Sequence, residues 1–276
     1  MSILTSYASQ SARDSAVPAS SNTGLCIFRS DTKAIEVSDG TSYLTYHNDG
    51  IFSSYPSNSY SAFFDATNDT IDTGDKFDFI QNTCNFSVVA WVKFTDHTST
   101  TAIQSILGTT YTSSQKGFYL FYDNRSSEGN NNVLKVSFPS GSTATINVDD
   151  GITDNDWHHL AVTCAASGTL KLYKDGTVIG STSAPSTTAT TALYTMKLGS
   201  VLISGNNTNG LFGYMDEVGI FNRELTSTEI DNIRGTSKTF PQVTSLYRFE
   251  NNVDDETGTN NGTNTGATFV TSEKPY

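Results

Sequence analysis

The segment DNDWHHLAVTC sets His158 and His159 side by side behind Trp157, in a chain with only 4 histidines. Paired imidazoles are the usual material of a metal site or a general base. The flanking residues alternate as a strand does, and on a strand neighbours project to opposite faces. His158 then shares a face with Leu160 and Val162, and His159 shares the other with Trp157, Ala161 and Thr163, so the two rings do not converge on one ion. No cysteine or carboxylate stands at a metal spacing to either of them. Both histidines, with Trp157, are read as structural residues whose ring nitrogens find partners inside the protein. The other candidate for chemistry is MDEVGIF. A glycosidase holds two carboxylates about 5–9.5 Å apart across the sugar. Asp216 and Glu217 are adjacent on a strand and so diverge. The chain has no nucleophile elbow and no phosphate loop, and a catalytic role is not expected. Cys26, Cys84 and Cys164 show no CxxC spacing and read as free thiols.

The elements that must position these residues are short strands. NFSVVAWVKF sets Phe86, Val88, Ala90, Val92 and Phe94 against Ser87, Val89, Trp91 and Lys93, apolar enough on both faces for a central strand. SILGT, GFYLFYD, VLKVSF and TATINV follow, each ended by Gly, Ser, Asn or Asp. LKLYKDGTVIG is a hairpin whose tight turn is Asp175-Gly176. MKLGS and GYMDEVGIFN add two more strands. LTSTEIDNIRG alone reads as a helix, capped by Thr226 or Ser227, burying Ile230 and Ile233, and stopped by Gly235. Many strands and one helix predict an all-β protein, an antiparallel two-sheet jelly-roll sandwich with a small N-terminal β meander and arm. The expected division is 1–50 for the arm and hairpin unit and 51–276 for the sandwich.

Composition agrees. Of 276 residues, 16% are charged and 11% aromatic, which suits polar turns around an aromatic core. A net charge of -12 argues against sequence-independent nucleic-acid binding, which needs cations to displace counterions. No apolar run reaches the roughly 20 residues of a membrane span, and the start, MSILTSYASQSARD, lacks the basic and apolar regions of a signal peptide. The expectation is a protein made in a host cytoplasm without membrane insertion.

The segment DWHHLAVTCAASGTLKLYKDGTVIGS resembles the most recognisable part of laminin G-like, concanavalin A-like lectin and glucanase domains. AFFDATNDTIDTGDKFDF and NFSVVAWVKF upstream, and LFGYMDEVGIFNRELTSTEIDNI downstream, follow that family's order from about Ser61 to Arg234. The resemblance implies that the Trp-His-His strand, Trp91 and the Asp175-Gly176 turn are architectural. It also implies a calcium site at Asp65, Asn68, Asp69 and Asp216, completed by backbone carbonyls; the residues alone equally describe an Asx-type turn. In such domains a segment like LYRFENNVDDETGTNNGTNTGATFV comes first. Here it occupies 245–270, where it would complete the sandwich as in a circular permutation or by donation to a neighbouring subunit.

Two features address function. Tyr111, Tyr122, Asn124, Arg125 and Asn207 lie in polar, aromatic-bearing loops of the kind that bind glycans. GLCIFRSDTKAIEVSDGTSYLTYHNDG resembles a hairpin unit of phage tail-fibre and other virion appendage proteins. Together they imply a virion surface structural protein, of capsid or tail, that docks on other virion proteins through its N-terminal region, self-associates, and displays a lectin-like domain that binds host glycan or stabilises the particle. A calcium-dependent carbohydrate-binding module of a bacterial adhesin is the rival, and a polysaccharide-degrading enzyme the third reading.

Overall fold

The structure is a computed structural model and describes residues 5–7, 26–29, 34–38, 43–47, 58–98, 103–109, 117–125, 129, 132–138, 144–166, 168–185, 192, 194–203, 206–208, 210–235 and 239–276. The chain forms two compact units, one of residues 1–57 with 227–243, the other of 58–226 with 244–276.

The first unit carries β1 (Thr5–Tyr7), β2 (Cys26–Arg29), β3 (Ala34–Ser38) and β4 (Tyr43–His47). β2, β3 and β4 pair antiparallel as a meander, and β1, from the Ser/Ala-rich arm, adds in parallel beside β2. Its helix, Ser227–Arg234, buries Ile230 and Ile233, the two residues one turn apart in an otherwise polar segment. Gly235 ends it, its N–H bonding the Asp231 carbonyl at 2.9 Å.

The second unit opens with β5 (Ser61–Asp65) and β6 (Thr70–Asp72), then β7 (Phe86–Phe94), β8 (Ile103–Gly108) and β9 (Tyr119–Asp123). β10 (Val133–Phe138), β11 (Ala144–Val148), β12 (Trp157–Cys164), β13 (Thr169–Lys174) and β14 (Thr177–Ser183) follow. Next come β15 (Lys197–Leu198), β16 (Val201–Ile203), β17 (Asn206–Thr208) and β18 (Phe212–Phe221), and finally β19 (Ser245–Tyr247), β20 (Thr263–Thr265) and β21 (Thr268–Val270). One sheet has the order β11-β10-β9-β8-β15-β6-β20, the other β14-β13-β12-β7-β18-β5-β21 with β19 on β18. All their pairings are antiparallel. The core between them is drawn from alternate residues: Val88, Ala90 and Val92 of β7 and Leu160 and Val162 of β12 from one side, Leu120 and Tyr122 of β9 and Leu134 and Val136 of β10 from the other. This is the two-sheet sandwich that strand alternation predicts.

Two departures have local causes. DKFDFIQNTC, read through as non-helical, closes a helical turn at Phe79–Asn82 that buries Ile80. The Asp78 carboxylate there is engaged by the Ala192 N–H at 2.9 Å. The C-terminal segment, expected to complete the sandwich, enters both sheets of its own unit, β19 on β18, β20 on β6 and β21 on β5. The second departure concerns parity in β18, which breaks between Asp216 and Gly219, where Glu217 sits at φ 49°. Such a bulge inserts one residue, so Met215 and Val218 both reach the core. Strict alternation therefore does not run through Asp216 and Glu217.

Candidate functional site

The outward face of the second sheet carries an aromatic row. Thr268 faces Phe63 across β21 and β5, Phe63 faces Tyr214 across β5 and β18, Tyr214 faces Lys93 across β18 and β7, and Lys93 faces Trp157 across β7 and β12. Strands lie about 4.8 Å apart, so Phe63 to Trp157 spans roughly 14 Å. Phe63 and Tyr214 have ring centroids 4.9 Å apart, Tyr214 and Trp157 6.2 Å, and Phe212 meets Phe63 edge-on at 6.3 Å. Each of these four rings is half-buried. The close seating of β18 on β7 requires Gly213, because a Cβ there would stand 2.1 Å from the Lys93 carbonyl oxygen. Residues after β21 run beside the row. The Ser61 hydroxyl donates to the Glu273 carbonyl at 2.6 Å, Lys93 Nζ reaches the Glu273 carboxylate at 2.7 Å, and Tyr276 meets Trp91 at 6.4 Å.

Next to the row lies a buried polar network built by the bulge. Arg248 donates from Nε (2.9 Å) and Nη2 (2.8 Å) to Glu217 Oε1, and the Tyr276 hydroxyl donates to the same oxygen at 2.8 Å. Asn58 Nδ2 donates to Asp216 Oδ2 at 2.6 Å, and the Glu217 N–H donates to Asp216 Oδ1 at 2.8 Å. Burial and the neighbouring Glu217 charge hold the Asp216 carboxyl well above the usual carboxylate range, outweighing its hydrogen bonds. Both carboxyl groups are inside the protein and engaged there.

The residues assigned to calcium fall in two places. Asp65, Asn68 and Asp69 share one turn, in which Thr67 N–H donates to Asp65 Oδ1 at 2.7 Å and Asp65 N–H to Asp69 Oδ2 at 2.8 Å. Ala66 and Asn68 both take positive φ there. Burial and the Asp65 charge raise the Asp69 pKa against the hydrogen bond from the Asp65 backbone. Asp216 stands elsewhere. Asp65 pairs with Phe212, so Asp216 is four residues farther along β18, roughly 13 Å at about 3.3 Å per residue. The four do not form one coordination shell, and among the described residues no three His, Cys, Asp or Glu side chains converge as one.

Of the assigned glycan contacts, Tyr122 and Asn124 are internal and Arg125 is partly exposed. Tyr122 is buried in the core, its hydroxyl 2.5 Å from both the His97 carbonyl and Asn132 Oδ1. Asn124 Nδ2 donates to the same carbonyl at 3.1 Å, and its Oδ1 accepts the Asn132 N–H at 2.9 Å. This corrects their assignment: a side chain that ties loop to loop inside the protein has no surface left for a sugar. Arg125 forks onto Asp123 through two bonds of 2.9 Å, and Lys135 joins at 2.9 Å. Burial alone would raise the Asp123 pKa, but these cations hold it down at about 2. Beside them on β9, Tyr119 and Phe121 stack at 4.0 Å, outward but buried. Tyr111 and the side chain of Asn207 lie outside the described residues.

Both histidines of the pair are engaged within the protein. His159 is buried and packs edge-on against Trp91 at 5.3 Å. His158 lies between two carboxylates, Nδ1 2.8 Å from Asp175 and Nε2 2.9 Å from Asp154. Burial would lower its pKa, yet the two carboxylates prevail and raise it. Asp175 Oδ1 also accepts the His159 N–H at 2.9 Å, and Asp175 N–H donates to the His159 carbonyl at 2.8 Å. The Asp175-Gly176 turn, both residues at positive φ, is thereby stapled to β12.

Residues 65–231, over half the chain, match the family model of the concanavalin A-like lectin/glucanases superfamily. Among solved structures, a candidate carbohydrate-binding protein of Bacteroides ovatus superposes with a TM-score of 0.57 at 18% identity, over 80% of this chain and 62% of that one. The chain thus spans less than two thirds of that structure's length. A heptameric SAP-like pentraxin of Limulus polyphemus gives 0.56 at 12% identity, over 79% and 98%. At such identities the likeness is one of fold. No curated protein matches the sequence.

Proposed function

The chain belongs to the concanavalin A-like lectin/glucanases superfamily, and we propose that its sandwich is a non-catalytic glycan-binding module. The observation that carries this reading is the half-buried row Phe63, Tyr214 and Trp157 with Lys93 between the last two. Pyranose rings present apolar C–H faces, and a line of aromatic rings set in a sheet offers them a rigid stacking surface at little entropic cost. Lys93 and Glu273 supply polar groups at its margin. The Bacteroides ovatus protein of similar fold, a candidate carbohydrate binder, supports this reading. The acids of MDEVGIF are held by Asn58 and Arg248 rather than facing each other across a cleft, which favours binding over hydrolysis.

The wider reading is a phage virion surface protein, with the N-terminal unit docking on capsid or tail proteins and self-associating. It rests on the resemblance of the β2–β4 hairpin sequence to virion appendage units. Calcium enters this reading only through the Asp65–Asp69 turn, whose Asp65 is exposed.

The test is the full chain on an array of bacterial surface polysaccharides and host-type oligosaccharides, with and without EDTA. Trp157→Ala and Tyr214→Ala should each weaken a bound glycan at least about tenfold, a loss of roughly 1.4 kcal/mol. Val178→Ser, at an exposed position away from the row, should not. Binding unchanged in both ring variants overturns the site; release of reducing ends overturns the non-catalytic assignment. Full-chain mass, compared with a chain starting at Gly50, tests self-association: a monomer in both contradicts the virion reading.

A further inference from the structure

We propose that Cys84 and Cys164 are the two halves of a structural cross-link, a disulfide that the chain closes while folding in an oxidising medium. Their Sγ atoms lie 2.6 Å apart, both residues are buried, and both are free thiols in this structure. A disulfide bond is about 2.05 Å long, and unbonded sulfurs do not rest so near that value. The backbone accounts for the meeting. Cys164 closes β12 opposite Phe86, the first residue of β7. Cys84, two residues earlier, takes φ 48° and turns back toward it. The bond would join the starts and ends of neighbouring central strands, closing a loop whose ends are 80 residues apart.

The oxidant is a small external disulfide such as oxidised glutathione. One cysteine thiolate attacks it, forming a mixed disulfide and expelling one glutathione thiol. The second cysteine thiolate attacks that mixed disulfide at the protein sulfur, forming the Cys84–Cys164 bond and expelling the second thiol. Two protein thiols are oxidised and one glutathione disulfide is reduced. Burial matters for timing. Hydrogen bonding to Cys164 and desolvation both push the Cys84 thiol up, so thiolate is scarce once the sandwich has closed. The exchange therefore belongs to folding, before the core excludes the reagent.

The experiment refolds the reduced, denatured full chain in a reduced and oxidised glutathione mixture, and in parallel under dithiothreitol. Each product is unfolded with excess iodoacetamide, and its intact mass and peptides are read. Oxidative refolding should leave one alkylated cysteine, Cys26, with Cys84 and Cys164 peptides linked, and the oxidised protein should melt roughly 5–10 °C higher. The Cys84→Ser/Cys164→Ser chain should fold equally in both media and lose that difference. Three alkylated cysteines after oxidative refolding, or a link to Cys26, would overturn the proposal. So would a melting difference that survives the double substitution. Glycan binding is read separately on the same samples, so a failed cross-link leaves the aromatic row standing.

Discussion

Arg248→Met is the sharpest perturbation of the fold around the proposed site. The Arg248 and Glu217 side chains are 3% and 2% exposed, so the desolvation of both charges is already complete. Removing the guanidinium strips two of the three hydrogen bonds from Glu217 Oε1 and leaves only Tyr276 against a buried carboxylate. Breaking one side of such a pair costs about 3–5 kcal/mol, against about 0–1 kcal/mol for an exposed pair. A unit of this size loses roughly 2–4 °C of melting temperature per kcal/mol, so a fall of about 6–20 °C is expected. Arg248→Met combined with Glu217→Gln removes both charges and should recover much of the loss, giving a coupling of at least about 1.5 kcal/mol in the double-mutant cycle. Differential scanning calorimetry with urea denaturation measures both. A shift below about 2 °C, or additive single effects, would refute the claim that the bulge in β18 exists around a buried ion pair.

Other outcomes follow from the same geometry. His158 has a raised folded pKa, so its stabilisation should be fully present below the unfolded value near 6.5 and be lost as pH rises through the folded one. His158→Gln should flatten that part of the stability–pH curve, and an unchanged curve would count against the Asp154–His158–Asp175 clamp. Asp154 and Asp175 have lowered values, so their share is present above about pH 4 and disappears as pH falls through the folded values. Gly199 and Gly74 share φ +74°, but a Cβ on Gly199 would stand 2.1 Å from the Phe64 ring while one on Gly74 meets nothing within 4 Å. Gly199→Ala should therefore cost roughly 1–3 kcal/mol more than Gly74→Ala in urea denaturation, and equal costs would contradict the packing described.

The strands were legible because their signals are local. The alternation of Phe86 to Phe94 and of His158 to Val162 states which residues enter the core, and the Asp175-Gly176 turn is readable from its own chemistry. The bulge at Glu217 was not, since it depends on Arg248 and Tyr276 arriving from far along the chain. The aromatic row was hidden for a related reason. Phe63, Lys93, Trp157 and Tyr214 come from four strands, and only the antiparallel register puts them in line. Tyr122 and Asn124 misled because a polar tip on an aromatic-rich segment reads as exposed. The cross-strand meeting of Cys84 with Cys164 likewise leaves no mark in their spacing.

The central claim is that glycan binds along the row on the second sheet. The chain has 2 tryptophans, so the 15N-labelled protein gives separable indole signals for Trp157 in the row and Trp91 beside it. Titration with the tightest glycan from the array, followed through those signals, tests the claim most directly. The account predicts that the Trp157 indole shifts most, saturates with the measured affinity, and loses its response in Tyr214→Ala. A glycan that binds the protein and moves neither indole would contradict it.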